Sequence, residues 1–253
     1  MSLTLTRVTH SCVLLNFEGQ QILTDPWFSE KRGFPGYYRG EPLAIDASDL
    51  PRLAGVAASH AHYDHFDVDA FSVYADKSVP FAVKRGTGAR ATAAGFTNVI
   101  ELDPWETATL GVVRATACPA KHSVPEVTYV FEAAGLRVFF GGDTLLVPEL
   151  RELPRRFPCF DLALLPINGL AIRPAGNRQV VMNAREAAEL TAILQPRYAV
   201  PIHYTYHGGR LAQRLILKYD GTPDEFVRVA RRLAPRTAVR VLAPGEPFEI
   251  ATG

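Results

Sequence analysis

The chain has 253 residues, of which 47% are hydrophobic and 21% charged, with a net charge of +1. This is the balance of a soluble globular protein, and it excludes collagen-like, low-complexity and strongly basic nucleic-acid-binding classes. No apolar run reaches the roughly 18 residues that span a bilayer, and the first residues lack the basic and apolar blocks of a signal peptide. The 3 cysteines, Cys12, Cys118 and Cys159, are widely spaced and form no C-x-x-C pair, so a reducing, cytoplasmic setting is expected.

In chain order, alternation and β-branched content predict strands over residues 3–8, 12–17 and 21–24, with Glu18-Gly19-Gln20 as a tight connection. Residues 28–44, rich in Gly, Pro, Tyr and charge, read as a long loop, either a lid or a subunit contact. Strands follow at 55–58 and 80–83, a helix near 88–94, and strands at 98–102, 107–110 and 112–118. A hairpin over 127–132 and 136–140 turns at Ala133-Ala134-Gly135, a short helix covers 148–153, and 161–165 is a buried strand. Asn183-Ala184-Arg185-Glu186 is a capping-box pattern opening a helix that Pro196 stops. Thr222-Pro223-Asp224-Glu225 opens a second helix, with proline in its first turn. Strands are predicted at 198–202, near 239–242 and at 248–250, and the segment from Tyr204 to Gly209 reads as a loop. Two β-rich halves with helices outside predict a four-layered αββα sandwich forming one domain over residues 1–253.

The chemistry concentrates in His60-Ala61-His62-Tyr63-Asp64-His65, which reads H-x-H-x-D-H. Three of the 7 histidines fall in this window. Imidazole nitrogens and carboxylate oxygens suit zinc and similar divalent ions. Four donors this close in sequence cannot all reach one ion without strain, so they are expected to divide between two neighbouring ions. Further donors recur after apolar strands: His122 in Lys121-His122-Ser123, Asp143 after Gly141-Gly142, and His203 after Pro201-Ile202. Strand ends are rigid supports, and the loops leaving them can converge on one rim.

In this order the pattern resembles the metallo-β-lactamase-fold hydrolase superfamily. More narrowly, Thr9-His10-Ser11-Cys12, the stretch from Ile22 to Trp27 and Pro201-Ile202-His203-Tyr204 are similar to the branch of ascorbate-6-phosphate lactonase-like and N-acylphosphatidylethanolamine phospholipase D-like proteins, although Thr9 stands where that branch usually has glycine. The resemblance implies that His60, His62 and His122 bind one metal, that Asp64, His65 and His203 bind a second, and that Asp143 bridges them. Zinc is the default ion; manganese and iron also match the donor set. Asp64 and Asp143 are the expected catalytic residues, in a hydrolase whose two ions hold a hydroxide that attacks an ester, lactone or phosphodiester of a small molecule.

Four other residues are candidates for supporting the site or touching substrate. Asp25, in a Thr-Asp-Pro turn, is expected to fix a ligand histidine. His10 is expected to line the pocket or hold structure. Tyr204 and His207 are candidates for substrate contact. Lys121, Arg173 and Arg178 are candidate anion anchors. The expected partner is a small molecule rather than nucleic acid or a membrane span, and a homo-oligomer is compatible with the sequence. Two other classes stay open: a di-iron redox protein on the same fold, and a non-catalytic metal-binding module.

Overall fold

The computed structural model describes residues 2–30 and 37–252. Among them, two seven-stranded sheets pack face to face. The first runs, in spatial order, Pro247–Ala251, Ser2–Thr9, Cys12–Phe17, Gln20–Thr24, Gly55–Ala58, Phe81–Lys84 and Val99–Leu102. The second runs Ala238–Val239, Tyr198–Ile202, Leu162–Pro166, Leu136–Phe140, Val127–Ala133, Val113–Pro119 and Thr107–Leu110. Alternate residues of both sheets, among them Leu5, Leu15, Ile22, Tyr129, Phe131, Phe140, Leu164 and Val200, bury one shared core between them.

Each sheet hides its other face under helices. Over the second sheet lie Ala184–Leu194 and Pro223–Leu233, which bury Ala187, Leu190, Phe226 and Val229 against Phe139, Ala163 and Leu165. Over the first lie Val68–Phe71 and Gly88–Ala93, with an aromatic group of Phe66, Phe71, Phe81 and Phe96. The architecture is therefore the αββα sandwich of the metallo-β-lactamase fold. No helix among the described residues is long and apolar enough to cross a membrane.

The helix caps follow their sequence signals. Asn183 Oδ1 accepts from the backbone N–H groups of Arg185 and Glu186, each at 3.0 Å, while Glu186 Oε2 accepts from Asn183 N at 3.0 Å. At the second helix only half of the box forms: Thr222 Oγ1 accepts from Glu225 N, but the Glu225 carboxylate turns to Arg185 at 3.0 Å.

Several expectations change. The predicted loop over 28–44 contains a strand, Tyr37–Arg39, which pairs with Tyr206–Gly208, so the segment after Tyr204 is not all loop either; residues 31–36 lie outside the described residues. The short helix after Val147 splits into a 3₁₀ turn, Pro148–Glu152, and one α-turn, Leu153–Arg156, because a second proline at 154 interrupts the hydrogen-bond ladder. The strand expected near 239–242 pairs only over Ala238–Val239. A small sheet of Ala171–Ile172, Arg178–Gln179 and Leu217–Lys218 and a short helix, Arg210–Leu215, complete the rim above the second sheet.

The strands ending at Thr9, Thr24 and Ala58 run in one direction, as do those ending at Pro119, Phe140 and Ile202. Their carboxyl ends meet at one edge of the sandwich. Two contacts stitch the sheets there: an antiparallel bridge between His60 and Glu126, and a bond from Val127 N to Ser59 O at 3.1 Å.

Candidate metal centre

Four of the strands that reach this edge deliver a donor. His60 follows Gly55–Ala58, His122 follows Val113–Pro119, Asp143 follows Leu136–Phe140 and His203 follows Tyr198–Ile202. His60 Nε2 lies 2.9 Å from His62 Nδ1, which lies 3.2 Å from His122 Nε2. Asp64 Oδ2 lies 3.7 Å from His65 Nε2 and 4.0 Å from His203 Nε2. Asp143 reaches both groups. Its Oδ2 is 2.9 Å from His203 Nε2, 3.9 Å from His122 Nε2 and 4.0 Å from His60 Nε2, and its Oδ1 is 3.2 Å from His65 Nε2. The seven side chains expected from the sequence thus converge in two adjoining clusters with Asp143 between them.

Around Asp143 and the second cluster the donors face each other rather than pairing. His65 Nε2, His203 Nε2 and Asp143 Oδ1 are buried, and none is in hydrogen-bond geometry despite the short separations. Unpartnered buried polar atoms are costly, and a cluster of them pointing into one space fits a cation. Burial, with neighbouring histidines, lowers the pKa of His60, His62 and His122, favouring the neutral imidazoles that ligate metals. Burial would raise Asp143, but His203 and His65 outweigh it and hold the carboxyl well below its usual range. Burial would lower His65, but Asp143, Asp25 and Asp64 raise it instead. The carboxylates thus hold a proton at His65 where a divalent ion would compensate their charge. These donors fit divalent metal ions.

A hydrogen-bond relay sets which ring nitrogens face the clusters. Asp25, fully buried at the end of Gln20–Thr24, accepts from Ser59 N (2.6 Å), Ser59 Oγ (2.8 Å) and His65 Nδ1 (2.5 Å). Because the single Ser59 hydroxyl proton goes to Asp25, Ser59 Oγ accepts from His60 Nδ1 at 2.9 Å. With Nδ1–H so engaged, both imidazoles turn Nε2 inward, bare at His60 and freed of its second proton at His65 only when an ion displaces it. His122 does the same by donating Nδ1–H to Val180 O at 2.7 Å. Asp25 therefore orients one histidine in each cluster.

The sequence did not point to Glu126. Buried at the start of Val127–Ala133, its Oε1 accepts from Asp143 N at 2.6 Å and lies 3.3 Å from His60 Nδ1. Burial and the nearby Asp143 carboxylate raise its carboxyl well above the usual range. Gly142, at φ +52°, leaves the space this carboxyl occupies, because a Cβ there would collide with it. The only sequence signal was a carboxylate between Pro125 and a buried strand.

The remaining candidates separate. His10 is buried in the second cluster, with Nε2 3.7 Å from Asp64 Oδ2; burial and His203 push its pKa down to about 3. Tyr204 is turned to Arg7, whose Nη1 donates to its hydroxyl at 2.9 Å. His207 sits on the Tyr206–Gly208 strand against the ring of Tyr38 and does not line the cleft over the donors. Of the candidate anchors, Arg173 donates Nε–H to the carbonyls of Leu217 and Gln213, and Lys121 and Arg178 are exposed away from the cleft.

That cleft, about 230 Å³, has His62, Asp64, His122, Asp143 and His203 at its base. Leu170, Ile172, Val180 and Leu217 wall it, with Tyr63 and Tyr206 beside them and the Tyr63 hydroxyl donating to that of Tyr206 at 3.0 Å. Among the described residues, no lysine or arginine lines it.

Fold and site together define the class. Residues 20–204, well over half of the chain, match the family model described as the beta-lactamase superfamily domain, and the chain belongs to that superfamily. It is 30% identical over 173 residues to an uncharacterized protein of Mycobacterium tuberculosis, covering 62% of this chain but only 46% of that one, so the chain spans about half the length of the mycobacterial relatives it matches. It is 28% identical over 242 residues to a metal-dependent hydrolase of Rubrobacter xylanophilus, covering 90% of this chain and 88% of that one. Among solved structures, Igni18, a metallo hydrolase of Ignicoccus hospitalis, superposes with a TM-score of 0.76 at 22% identity over the whole of both chains.

Proposed function

We propose that residues 1–253 form one hydrolase domain that binds two divalent ions, zinc by default, and cleaves a small uncharged ester or lactone. The observation that carries this reading is the convergence of seven histidine and aspartate donors, five of them at the base of an apolar cleft. The similarity to the Rubrobacter hydrolase supports the reaction class. The bound ions would supply Lewis acidity, polarising a carbonyl oxygen and making water a stronger acid.

The rest falls to the chain's own residues. His60, His62 and His122 hold one position; Asp64, His65 and His203 hold the other; Asp143 spans them. Asp64, at the cleft surface, is placed to take up a proton during attack and return it to the leaving group. Leu170, Ile172 and Leu217 exclude water from the acyl side and favour an apolar substituent. Among the described residues, no lysine or arginine on the cleft walls is placed to hold a phosphodiester.

The test is turnover by metal-loaded protein of an aryl butyrate and a γ-lactone beside bis(p-nitrophenyl)phosphate, with and without chelator. Chelator-sensitive cleavage of the neutral substrates supports the reading. Cleavage of the phosphodiester alone makes the enzyme a phosphodiesterase, and a chelator-insensitive rate refutes metal dependence.

A further inference from the structure

His10 has no structural partner to explain its position. It follows the strand Ser2–Thr9, is fully buried, and neither ring nitrogen has a hydrogen-bond partner. Its backbone sits at φ +45°, in the left-handed region that non-glycine residues rarely adopt, as do Asp25 at +36° and His203 at +54° in the same site. The strained backbone is pinned: His10 N donates to Glu41 Oε1 at 2.6 Å, and the buried Arg7 Nη2 pairs with that oxygen at 2.6 Å. The ring is fixed by the edge of Trp27 at 5.2 Å and by His203 at 4.1 Å between centroids. The protein thus holds an imidazole rigidly, strips it of solvent and satisfies neither nitrogen.

The donors around it explain the arrangement. His10 Nε2 lies 3.7 Å from Asp64 Oδ2, too far for a hydrogen bond, and its donor atom lies within 4.8 Å of those of Asp64, His65 and His203. Two ligands on one ion, at bond lengths of roughly 2.0–2.2 Å, stand about 3.4 Å apart at a tetrahedral angle and about 4.2 Å apart when opposed. The 3.7 Å between His10 and Asp64, 3.7 Å between Asp64 and His65 and 4.0 Å between Asp64 and His203 all fall in that interval.

We propose that His10 is a further ligand of the second metal position, joining Asp64, His65 and His203. The inference rests on the two-ion reading above. It makes the positions unlike: three histidines serve the first, and three histidines with an aspartate serve the second, with Asp143 shared. The first strand of the chain, through Arg7 and Glu41, becomes part of the scaffold of that second position.

The test is metal binding by the full chain, read without turnover. His10→Phe keeps a ring in the slot beside Trp27 and His203 while removing both nitrogens. Cobalt content, competition against a chromophoric chelator and the visible spectrum of the cobalt-loaded protein are compared with wild type. Wild type should take up two ions. His10→Phe should keep the first but bind the second more than about 100-fold more weakly, beyond the roughly 10–100-fold loss typical of an outer partner. The cobalt bands of that position should change as its coordination number falls. A second variant, His10→Gln, retains an oxygen donor and should hold both ions with a shifted spectrum, which keeps the test open if the phenylalanine variant does not fold. Unchanged affinity and spectrum in both variants would overturn the proposal. So would a 10–100-fold loss with unchanged bands, since His10 would then act only by orienting Asp64. A wild type that binds fewer than two ions refutes the two-ion reading itself, a result separate from the other two.

Discussion

Asp25→Asn replaces one oxygen by an amide of the same shape, and the relay around it makes the consequence calculable. If the amide keeps its oxygen toward Ser59 N, its NH₂ group occupies the place of Oδ2 and meets two donors, Ser59 Oγ–H at 2.8 Å and His65 Nδ1–H at 2.5 Å. Ser59 can accept instead and pass its own proton to His60 Nδ1, and His65 must release Nδ1–H. Both histidines then change tautomer, and each points an Nε2–H, rather than a lone pair, into its cluster. If the amide turns over, both tautomers survive, but the NH₂ group confronts the buried Ser59 N–H, whose acceptor is lost. An unsatisfied buried donor costs about 1–3 kcal/mol. The metal-free protein takes the first arrangement, and metal binding must impose the second. Either ion binding alone should therefore do so with an affinity lower by that amount, or roughly 5–150-fold at 1.36 kcal/mol per tenfold, the cost being met once. Cobalt titration against a competing chelator measures this, with the melting temperature of the metal-free variant as the control for folding. An affinity within threefold of wild type at both positions would refute the relay. A loss confined to the His65 position would refute its extension through Ser59 to His60.

Asp143→Asn, which weakens the one carboxylate that, among the described residues, reaches both clusters, should lower metal content below two equivalents by elemental analysis. It should cost more in kcat/KM than the roughly 10–100-fold typical of outer partners; a loaded, fully active variant would exclude a bridging role. Asn183→Ala removes the cap oxygen that accepts from Arg185 N and Glu186 N and should destabilise the chain by about 1 kcal/mol. By differential scanning calorimetry that is a fall in Tm of about 2–4 °C for a chain of this size, with metal binding unchanged. Cys12 and Cys118 are buried, and desolvation pushes both thiols up to about 12, whereas Cys159 is exposed. A thiol reagent at pH 8 should modify one cysteine quickly in the folded protein and three after denaturation; two fast thiols would mean that a strand edge opens.

What could be read from the chain separates from what could not along a physical line. The metal donors were legible because they are few in kind, rare in composition and placed where an apolar run ends. His60 to His65 occupies one loop, and His122, Asp143 and His203 each mark the end of a strand whose hydrophobic run is itself visible. The two sheets and the two capped helices were legible for the same reason, since burial imposes a period on the local sequence. The Tyr37–Arg39 and Tyr206–Gly208 pair was not, because three residues carry no period and each strand exists only through the other. The helix Arg210–Leu215 was missed because only Ala212 is buried, leaving no apolar stripe.

Glu126 shows the same limit inside the site. Its sequence neighbours make it an ordinary charge at a strand start, and its role comes from the bridge to His60, which joins one sheet to the other. Donor identity is a local property, whereas the direction in which a donor points is set by bonds between segments far apart in the chain. Asp25 was foreseen as a support for one histidine, yet the hydroxyl of Ser59 extends its reach to a second. The count of one proton on that hydroxyl, which no motif records, is what couples the orientation of the two clusters.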